Sequence, residues 1–501
     1  MMRHLRRFCL PAASLFLLPS LSLAQQPAPI SPAPADPAIA AALQQVSPER
    51  IHDTITKLVS FRNRSTLSSM DTDLPSGTGI TAAADWIFSE FQRISADCGN
   101  CLEVRRDDFT EPGAPGTRIT KPTRLQNIYA VLKGTDPAQS GRRVLVTGHY
   151  DSRNTDVMNT HDPAPGANDD ASGTAVSLEC ARVLSKLKFP STIVFVAVAG
   201  EEQGLNGSRH LAKLAKSEGW QLEAVLNNDI VGGDTTPGST GQDKTAVRVF
   251  SEGVPGPATL DQLHNLQTLG AESDSPSREL ARAIADVSRT YFGPVGQHAP
   301  ATTGRAHSMA IRQIAAFHPV LIFRRDRFLR GGDHTSFNLE GFTAVRFTEW
   351  QENFNHQHQF VRTENGIQYG DLIEYDDFSY IANVARLNAA ALANFASAPG
   401  LPQHVGVVTT NLDNDTTLRW EPPAGMPASA SFEVLTRDTN APDWQSVVPA
   451  GTANTITLHL SKDNAIFGVR SVDAAGHRSA AVYPLPIRAA GAAPVPGTAA
   501  K

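Results

Sequence analysis

The chain has 501 residues, 41% hydrophobic and 19% charged, the balance of a globular protein long enough for more than one domain. Its formal net charge of -6, with lysines and arginines scattered, leaves no basic footprint and argues against nucleic acid as a partner. Arg324, Arg325, Arg327 and Arg330 form the one dense cationic run, which reads as a solvated loop.

Residues 1–24 read as a secretory signal peptide. Arg3, Arg6 and Arg7 give a positive start, an apolar stretch runs from Phe8 to about Leu18, and Ser22-Leu23-Ala24 supplies small residues for cleavage. Pro11 and Pro19 interrupt a stretch already too short to span a bilayer, and no later run is long and apolar enough. The mature protein is therefore expected to be secreted, periplasmic or extracellular, with no membrane span. Residues 25–45, rich in proline and alanine, read as a linker, with a helical pattern emerging from about Ala38 to Ser60. Cys98-Gly-Asn-Cys101 suits a local disulfide better than half a zinc site, because no second cysteine pair exists. Cys180 falls among apolar residues of a predicted helix and reads as a buried, inert thiol.

Residues 46–398 form the next unit. Val144–Val146 is a short buried strand, about Asp170–Leu187 a helix, and Thr192–Val198 a β-branched run suited to a strand buried on both faces. Leu205–Lys216 reads as helix and Glu223–Leu226 as the next strand. This alternation predicts a three-layer α/β/α fold on a mostly parallel sheet, with its site at the carboxyl ends of the strands. From 399 to 488 the texture changes to short strands around Leu418-Arg419-Trp420, Phe432-Glu433-Val434, Ile456-Thr457-Leu458 and Phe467-Gly468-Val469, a small all-β sandwich. Residues 489–501 read as a disordered tail.

Four segments carry the chemistry. Gly148-His149-Tyr150-Asp151-Ser152 ends the first strand, and in an extended chain His149 and Asp151 share a side, so Asp151 could orient the imidazole. Alone, such a pair is more often an ordinary surface contact. In Pro165–Gly173, Asp169 and Asp170 stand at the mouth of a helix, where acids also serve as simple caps. Glu201 and Glu202, flanked by Gly200 and Gly204, directly follow the buried strand, and Asp229 ends the next one. Together they place imidazole and hard oxygen ligands at successive strand ends, a set suited to zinc or a similar divalent ion. Ligand arithmetic favours two ions sharing one bridging carboxylate, with a position left open for water.

GHYDS, PGANDDASG, AGEEQGLNGS and LNNDIVG, in this order, resemble the two-zinc peptidases of the bacterial leucyl aminopeptidase type, a family that includes glutamate carboxypeptidase II. The likeness covers roughly residues 45–395. It implies two Zn²⁺ per chain, with His149 and Asp229 on one ion, Asp169 bridging, and Glu202 on the other. It also implies Asp151 as the orienting residue, Glu201 as general base and a cis peptide after Asp169. The fifth ligand comes from Glu352–Gln359; alignment of the motif favours His358, with His356 an alternative, while His334 is expected to begin a helix capped by Asp333. The implied activity is removal of N-terminal residues from peptide substrates. A glutamate-releasing carboxypeptidase, with the Arg324–Arg330 run reading acidic side chains, and a single-zinc glutaminyl cyclase are the enzyme alternatives; a non-catalytic receptor is disfavoured because every ligand position is filled. The C-terminal unit resembles a fibronectin type III domain with Trp420 at its core, either a spacer or a contact to a polymer or cell surface.

Overall fold

The computed structural model describes residues 27–293, 316–410 and 413–487, so the expected signal peptide and the tail from 489 lie outside the described residues. In chain order, a short strand β1 (Ala28–Pro29) leads to helices α1 (Pro37–Leu43), α2 (Pro48–Val59) and α3 (Gly79–Asp97). Strands β2 (Leu102–Glu111), β3 (Thr123–Leu132) and β4 (Arg142–His149) precede α4 (Ser172–Leu184), β5 (Thr192–Val198), α5 (Asn206–Ser217) and β6 (Gln221–Asn228). Then come β7 (Ala246–Ser251), α6 (Leu260–Leu269), α7 (Pro276–Tyr291), β8 (His318–Ile322), α8 (His334–Leu339) and β9 (Ala344–Thr348). A hairpin, β10 (Arg362–Glu364) and β11 (Ile367–Tyr369), leads to the long helix α9 (Phe378–Ser397).

Eight of these strands form one mixed sheet, ordered β2-β3-β5-β4-β6-β9-β7-β8. Its centre, β5-β4-β6-β9, is parallel throughout, and antiparallel pairs flank it. The central strands are apolar on both faces because helices cover both. Val144 and Val146 of β4 join a cluster with α2, α3, α4, α7 and α9, whereas the intervening Leu145 joins Leu211, Ala212 and Ala215 of α5 on the other face. The alanines of α9, fully buried at 382, 385, 389, 390, 391 and 393, let it lie close against α4 beneath the sheet. Among the described residues no helix is long and apolar enough to cross a membrane.

The segment expected as a linker differs. Asp36 accepts hydrogen bonds from the N–H groups of Ala38 and Ile39 at 2.7 and 3.3 Å, and Pro37 follows it in the first helical turn. Ile39 and Leu43 of the resulting helix are buried against the core, worth about 1.5–3 kcal/mol each. The helical pattern expected from about Ala38 is α1 and α2 here, and alanine is the residue that best tolerates close helix packing. The unit that begins at 46 by composition therefore begins earlier in space. Cys98 and Cys101 are joined in a disulfide, and Cys180 is buried.

Residues 403–487 build two four-stranded sheets from β12 (Gln403–Val408), β13 (Thr416–Glu421), β14 (Ser431–Asp438), β15 (Ser446–Gly451), β16 (Thr455–Leu458), β17 (Ala465–Val472) and β18 (Leu485–Ile487). Their orders are β1-β15-β14-β17 and β16-β13-β12-β18, with Trp420, Phe432, Val434 and Val469 between them. The N-terminal β1 thus pairs with β15 before the chain crosses to the larger sheet. Buried polar and charged contacts bind this unit to α7 and the turn just before it. Arg437 reaches Asp274 at 2.6 Å, the Trp444 indole N–H donates to Glu279 at 2.8 Å, and Arg470 reaches Asp286 at 2.8 Å. Arg282, fully buried, pairs with Asp274 and Glu279 and donates to the Pro442 carbonyl at 2.8 Å. Arg437 still faces Asp274 without Arg282, but Glu279 is left buried without its ion-pair partner, so Arg282→Ala is expected to cost about 3–5 kcal/mol in chemical denaturation. A loss below about 1 kcal/mol, the size of an exposed pair, would show that the network is solvated.

Candidate metal centre

The parallel strands β4, β5 and β6 deliver their motifs to one edge. His149 is the last residue of β4, Glu201 and Glu202 follow β5 after Ala199-Gly200, and Asp229 follows β6. Gly148 must be glycine here, since a Cβ would lie 2.3 Å from the Gly173 backbone where α4 meets β4. Ile230 turns the chain at φ 61°, a conformation β-branched residues rarely adopt, and its carbonyl accepts the Glu349 N–H at 2.8 Å.

The loop carrying Asp169 is held from three sides. Asp371 accepts the N–H groups of Asn168 and Asp169 at 2.9 and 2.7 Å. Arg64, fully buried, donates to the carbonyls of Leu58, Tyr150, Pro165 and Gly166, joining α2 to both ligand-bearing loops. Asp170 turns the other way and accepts the His149 N–H at 2.9 Å. The Asp169–Asp170 peptide is cis.

Among the described residues, two groups place potential ligand atoms within 4.8 Å of one another: His149, Glu201 and Asp229, and Asp169, Glu202 and His358. Asp169 links them. Its Oδ1 is 3.2 Å from His149 Nε2, and its Oδ2 is 2.8 Å from His358 Nε2. Asp229 Oδ1 lies 3.8 Å from His149 Nε2, and Glu202 Oε1 lies 3.1 Å from His358 Nε2. His356 stands apart, its Nδ1 3.3 Å from Asp234 and its ring stacked on Tyr375 at 4.1 Å. The structure therefore brings His149, Asp169, Glu201, Glu202, Asp229 and His358 together, and of the two late histidines only His358 joins them. His358 occupies φ 59°, a left-handed conformation costing roughly 1–2 kcal/mol in an L-residue, of the kind found at functional sites.

Asp151 holds His149 differently from the expectation. The imidazole Nδ1 is closer to the Asp151 main-chain carbonyl, 3.1 Å, than to its carboxylate, 3.4 Å. That carboxylate instead accepts the N–H groups of Glu201 and Glu202 at 3.3 and 3.1 Å, and so fixes the two glutamates. Asp333 also departs from its expected role. Helix α8 begins at His334, but Asp333 makes no capping bond, and both its oxygens are buried without a partner. The arginine run is only partly solvated: Arg327 is buried, and Arg327 and Arg330 both bind Glu352, at 3.0 and 2.5 Å.

Several contributors escaped the sequence reading. Arg346 of β9, fully buried, reaches Asp229 at 2.8 Å, and Gln357 donates to Asp169 Oδ2 at 3.0 Å. Arg153 reaches Glu202 Oε2 at 2.8 Å and approaches His358 Nδ1 to 2.5 Å. An arginine inside the buried strand Ala344–Thr348 was the available signal for the first; nothing local marked Arg153.

Charge fits the group to cations. Burial alone would raise the Asp169 carboxyl, but His358 and His149 hold it well below the usual range. Burial opposes charge on His358 too, yet Glu202 and Asp169 lift it to about 10. Burial, with Asp229, Glu202 and Asp333 nearby, holds Glu201 well above the ordinary carboxylate range. His149 Nε2 and Glu202 Oε1 are buried without hydrogen-bond partners, facing the other ligand atoms. Buried acids that outnumber their arginine partners, together with orphaned ligand atoms, suit divalent ions held by oxygen and imidazole. His358 Nε2, which faces Asp169 and Glu202, is the nitrogen that would hold an ion, and a neutral ring would then carry its proton on Nδ1, beside Arg153.

His334 supplies a pH test beside the site. Its Nε2–H donates to the Arg325 carbonyl at 2.7 Å, and burial, outweighing the nearby Asp326, lowers its pKa to about 4. The folded value lies below the unfolded value of about 6.5, so the unfolded state binds more protons between them. This contribution is complete above pH 6.5 or so and is lost as pH falls toward 4, on the order of 3 kcal/mol. Urea denaturation should show wild type losing about that much more than His334→Gln over this window. Parallel profiles would show that His334 titrates normally.

The family model of Peptidase family M28 matches residues 127–275, which contain the first four motifs. A Leptosphaeria maculans protein described as a probable zinc metalloprotease is 44% identical over 458 residues, covering 91% of this chain and 99% of its own. A Pyrenophora teres f. teres protein of the same description is 43% identical, covering 91% and 88%. Among solved structures, the Legionella pneumophila LapA aminopeptidase overlaps with a TM-score of 0.46 at 20% identity, covering 72% of this chain and 74% of that one. A Bacteroides thetaiotaomicron glutaminyl cyclase overlaps with 0.44 at 13% identity, covering 70% and 98%.

Proposed function

The chain belongs to Peptidase family M28, and we propose that within it this zinc metalloprotease is a two-zinc aminopeptidase with Glu201 as its general base. The observation that carries the reading is Asp169, whose two oxygens face the two histidines, 3.2 Å from one and 2.8 Å from the other. His149 and Asp229 would hold one ion, Glu202 and His358 the other, and Asp169 both. When bound, the zinc pair supplies Lewis-acid polarisation of the scissile carbonyl and acidifies the attacking water.

The chain's own residues do the rest. Asp151 fixes the glutamate pair through the two backbone N–H groups. Glu201, with its raised proton affinity, takes the water's proton and passes it to the leaving amine. Arg346 holds Asp229 in its ligand orientation, and Gln357 does the same for Asp169. The secretory reading of residues 1–24 belongs to the same proposal, with peptides outside the inner membrane as substrates. We also read residues 403–487 as a fibronectin type III-like unit, docked rather than tethered, in view of its buried contacts with α7.

A substrate panel tests the activity. Aminoacyl p-nitroanilides with a free amine are expected to be cleaved and their N-acetyl counterparts not. Release of C-terminal glutamate from blocked peptides, or cyclisation of N-terminal glutamine without hydrolysis, would replace this reading with the carboxypeptidase or cyclase.

A further inference from the structure

Glu202 is held at three points, and one of its oxygens is left over. Its N–H donates to Asp151 at 3.1 Å, its carbonyl accepts Arg118 at 2.6 Å, and its Oε2 accepts Arg153 Nε at 2.8 Å. The remaining Oε1 is buried with no hydrogen-bond partner, 3.1 Å from His358 Nε2. A bond from a guanidinium is among the stronger ones a carboxylate accepts, and fixing one oxygen fixes the direction of the other.

Asp229, the terminal acid of the other ligand group, is held differently. Arg346 contacts Asp229 Oδ1, the same oxygen that lies nearest His149. Arg153 instead takes Glu202 Oε2 and leaves Oε1, the oxygen nearest His358. The segment that carries Arg153 also braces His358, because the Thr155 hydroxyl donates to the His358 carbonyl at 3.0 Å. His149, Asp151 and Arg153 are spaced two residues apart, and each meets the centre. The chain that supplies a ligand of one ion thus continues into the residues that orient the ligands of the other.

We propose that Arg153 is a positioning residue of the metal centre: by occupying Glu202 Oε2 it confines Glu202 to a single ligand oxygen, Oε1. The proposal rests on the two-zinc reading. With Glu202 confined in this way, Asp169 Oδ2, Glu202 Oε1 and His358 Nε2 give that ion three protein atoms and leave its fourth position open, as a catalytic zinc site requires. Both Glu202 oxygens on the ion would fill that position.

The sign of the effect separates positioning from charge. A guanidinium repels nearby metal cations, so deleting Arg153 as a mere charge would tighten zinc binding. Deleting it as the group that orients a ligand weakens binding, typically by about 10–100-fold.

The test is zinc titration of the full chain in competition with a chromophoric chelator, with wild type beside Arg153→Ala and Arg153→Lys. Arg153→Ala is expected to hold one of its two ions about 10–100-fold more weakly and the other as wild type does. Arg153→Lys, whose ammonium can still donate to Oε2, is expected to recover part of the loss. Zinc affinity in Arg153→Ala equal to or above wild type, or equal weakening of both ions, would overturn the proposal. Saturation of wild type at one ion would fault the two-zinc reading instead, and the proposal would then turn on whether Arg153→Ala weakens that ion. Should Arg153→Ala fail to fold, a crystal structure of the zinc-loaded wild type decides it. Oε1 alone on the ion, with Arg153 on Oε2, supports the proposal, and both oxygens on the ion overturn it.

Discussion

Glu201→Gln is expected to lower kcat by about 10²–10⁴-fold while zinc content and KM stay near wild type. Glutamine preserves the side chain's size and its place beside His149 and Asp229, but it cannot accept the water's proton. In free-energy terms the loss is about 3–5 kcal/mol of transition-state stabilisation. The alternative is specific, because the Glu201 carboxylate lies within reach of the same ion as His149 and Asp229. If zinc is lost together with activity, Glu201 is a ligand, and the base must be sought elsewhere. Steady-state kinetics with elemental analysis on the same preparation separates the two.

Asp169→Ala is expected to have the larger structural consequence. It removes the carboxylate facing both histidines, so zinc should fall from about two ions per chain to one or fewer, with hydrolysis at background. It also leaves His358 with Glu202 alone and removes the acceptor of the Gln357 amide. Asp170→Asn is the informative contrast. Asp170 is the adjacent acid, yet its oxygens accept the N–H groups of His149, Gly173 and Ile230 and face away from the ligand group. Retention of zinc in that variant, with lower stability, distinguishes the bridging acid from its neighbour. Equal zinc loss in both would mean that the loop, not the Asp169 carboxylate, determines binding.

Much of the centre was legible because its residues sit where local pattern is strongest. Thr192–Val198 reads as a buried strand from its β-branched run, and the structure has that span as β5. The strand called at Val144–Val146 extends to His149, which puts the GHYDS motif on the sheet edge. His358 and His356 could not be separated by composition, since both lie in one short turn. Only the fold shows that the first pairs with Asp169 and Glu202 and the second with Asp234. Arg346 and Arg153 were missed because their partners are distant in sequence, 117 residues away for Asp229 and 205 for His358. The boundary at residue 46 follows composition, and the helical pattern read from about Ala38 already crosses it, as α1 and α2 do. Asp36 followed by Pro37 is a helix start, and it places the first turn of α1 one residue ahead of that pattern.

The central claim is a pair of ions sharing Asp169. Elemental analysis of the purified full chain, after dialysis against metal-free buffer and reloading with zinc, tests it most directly. The account predicts about two zinc ions per chain, with activity returning as the second ion binds. Saturation at one ion per chain, with full activity, would contradict it and leave Asp169 as the ligand of a single-metal enzyme.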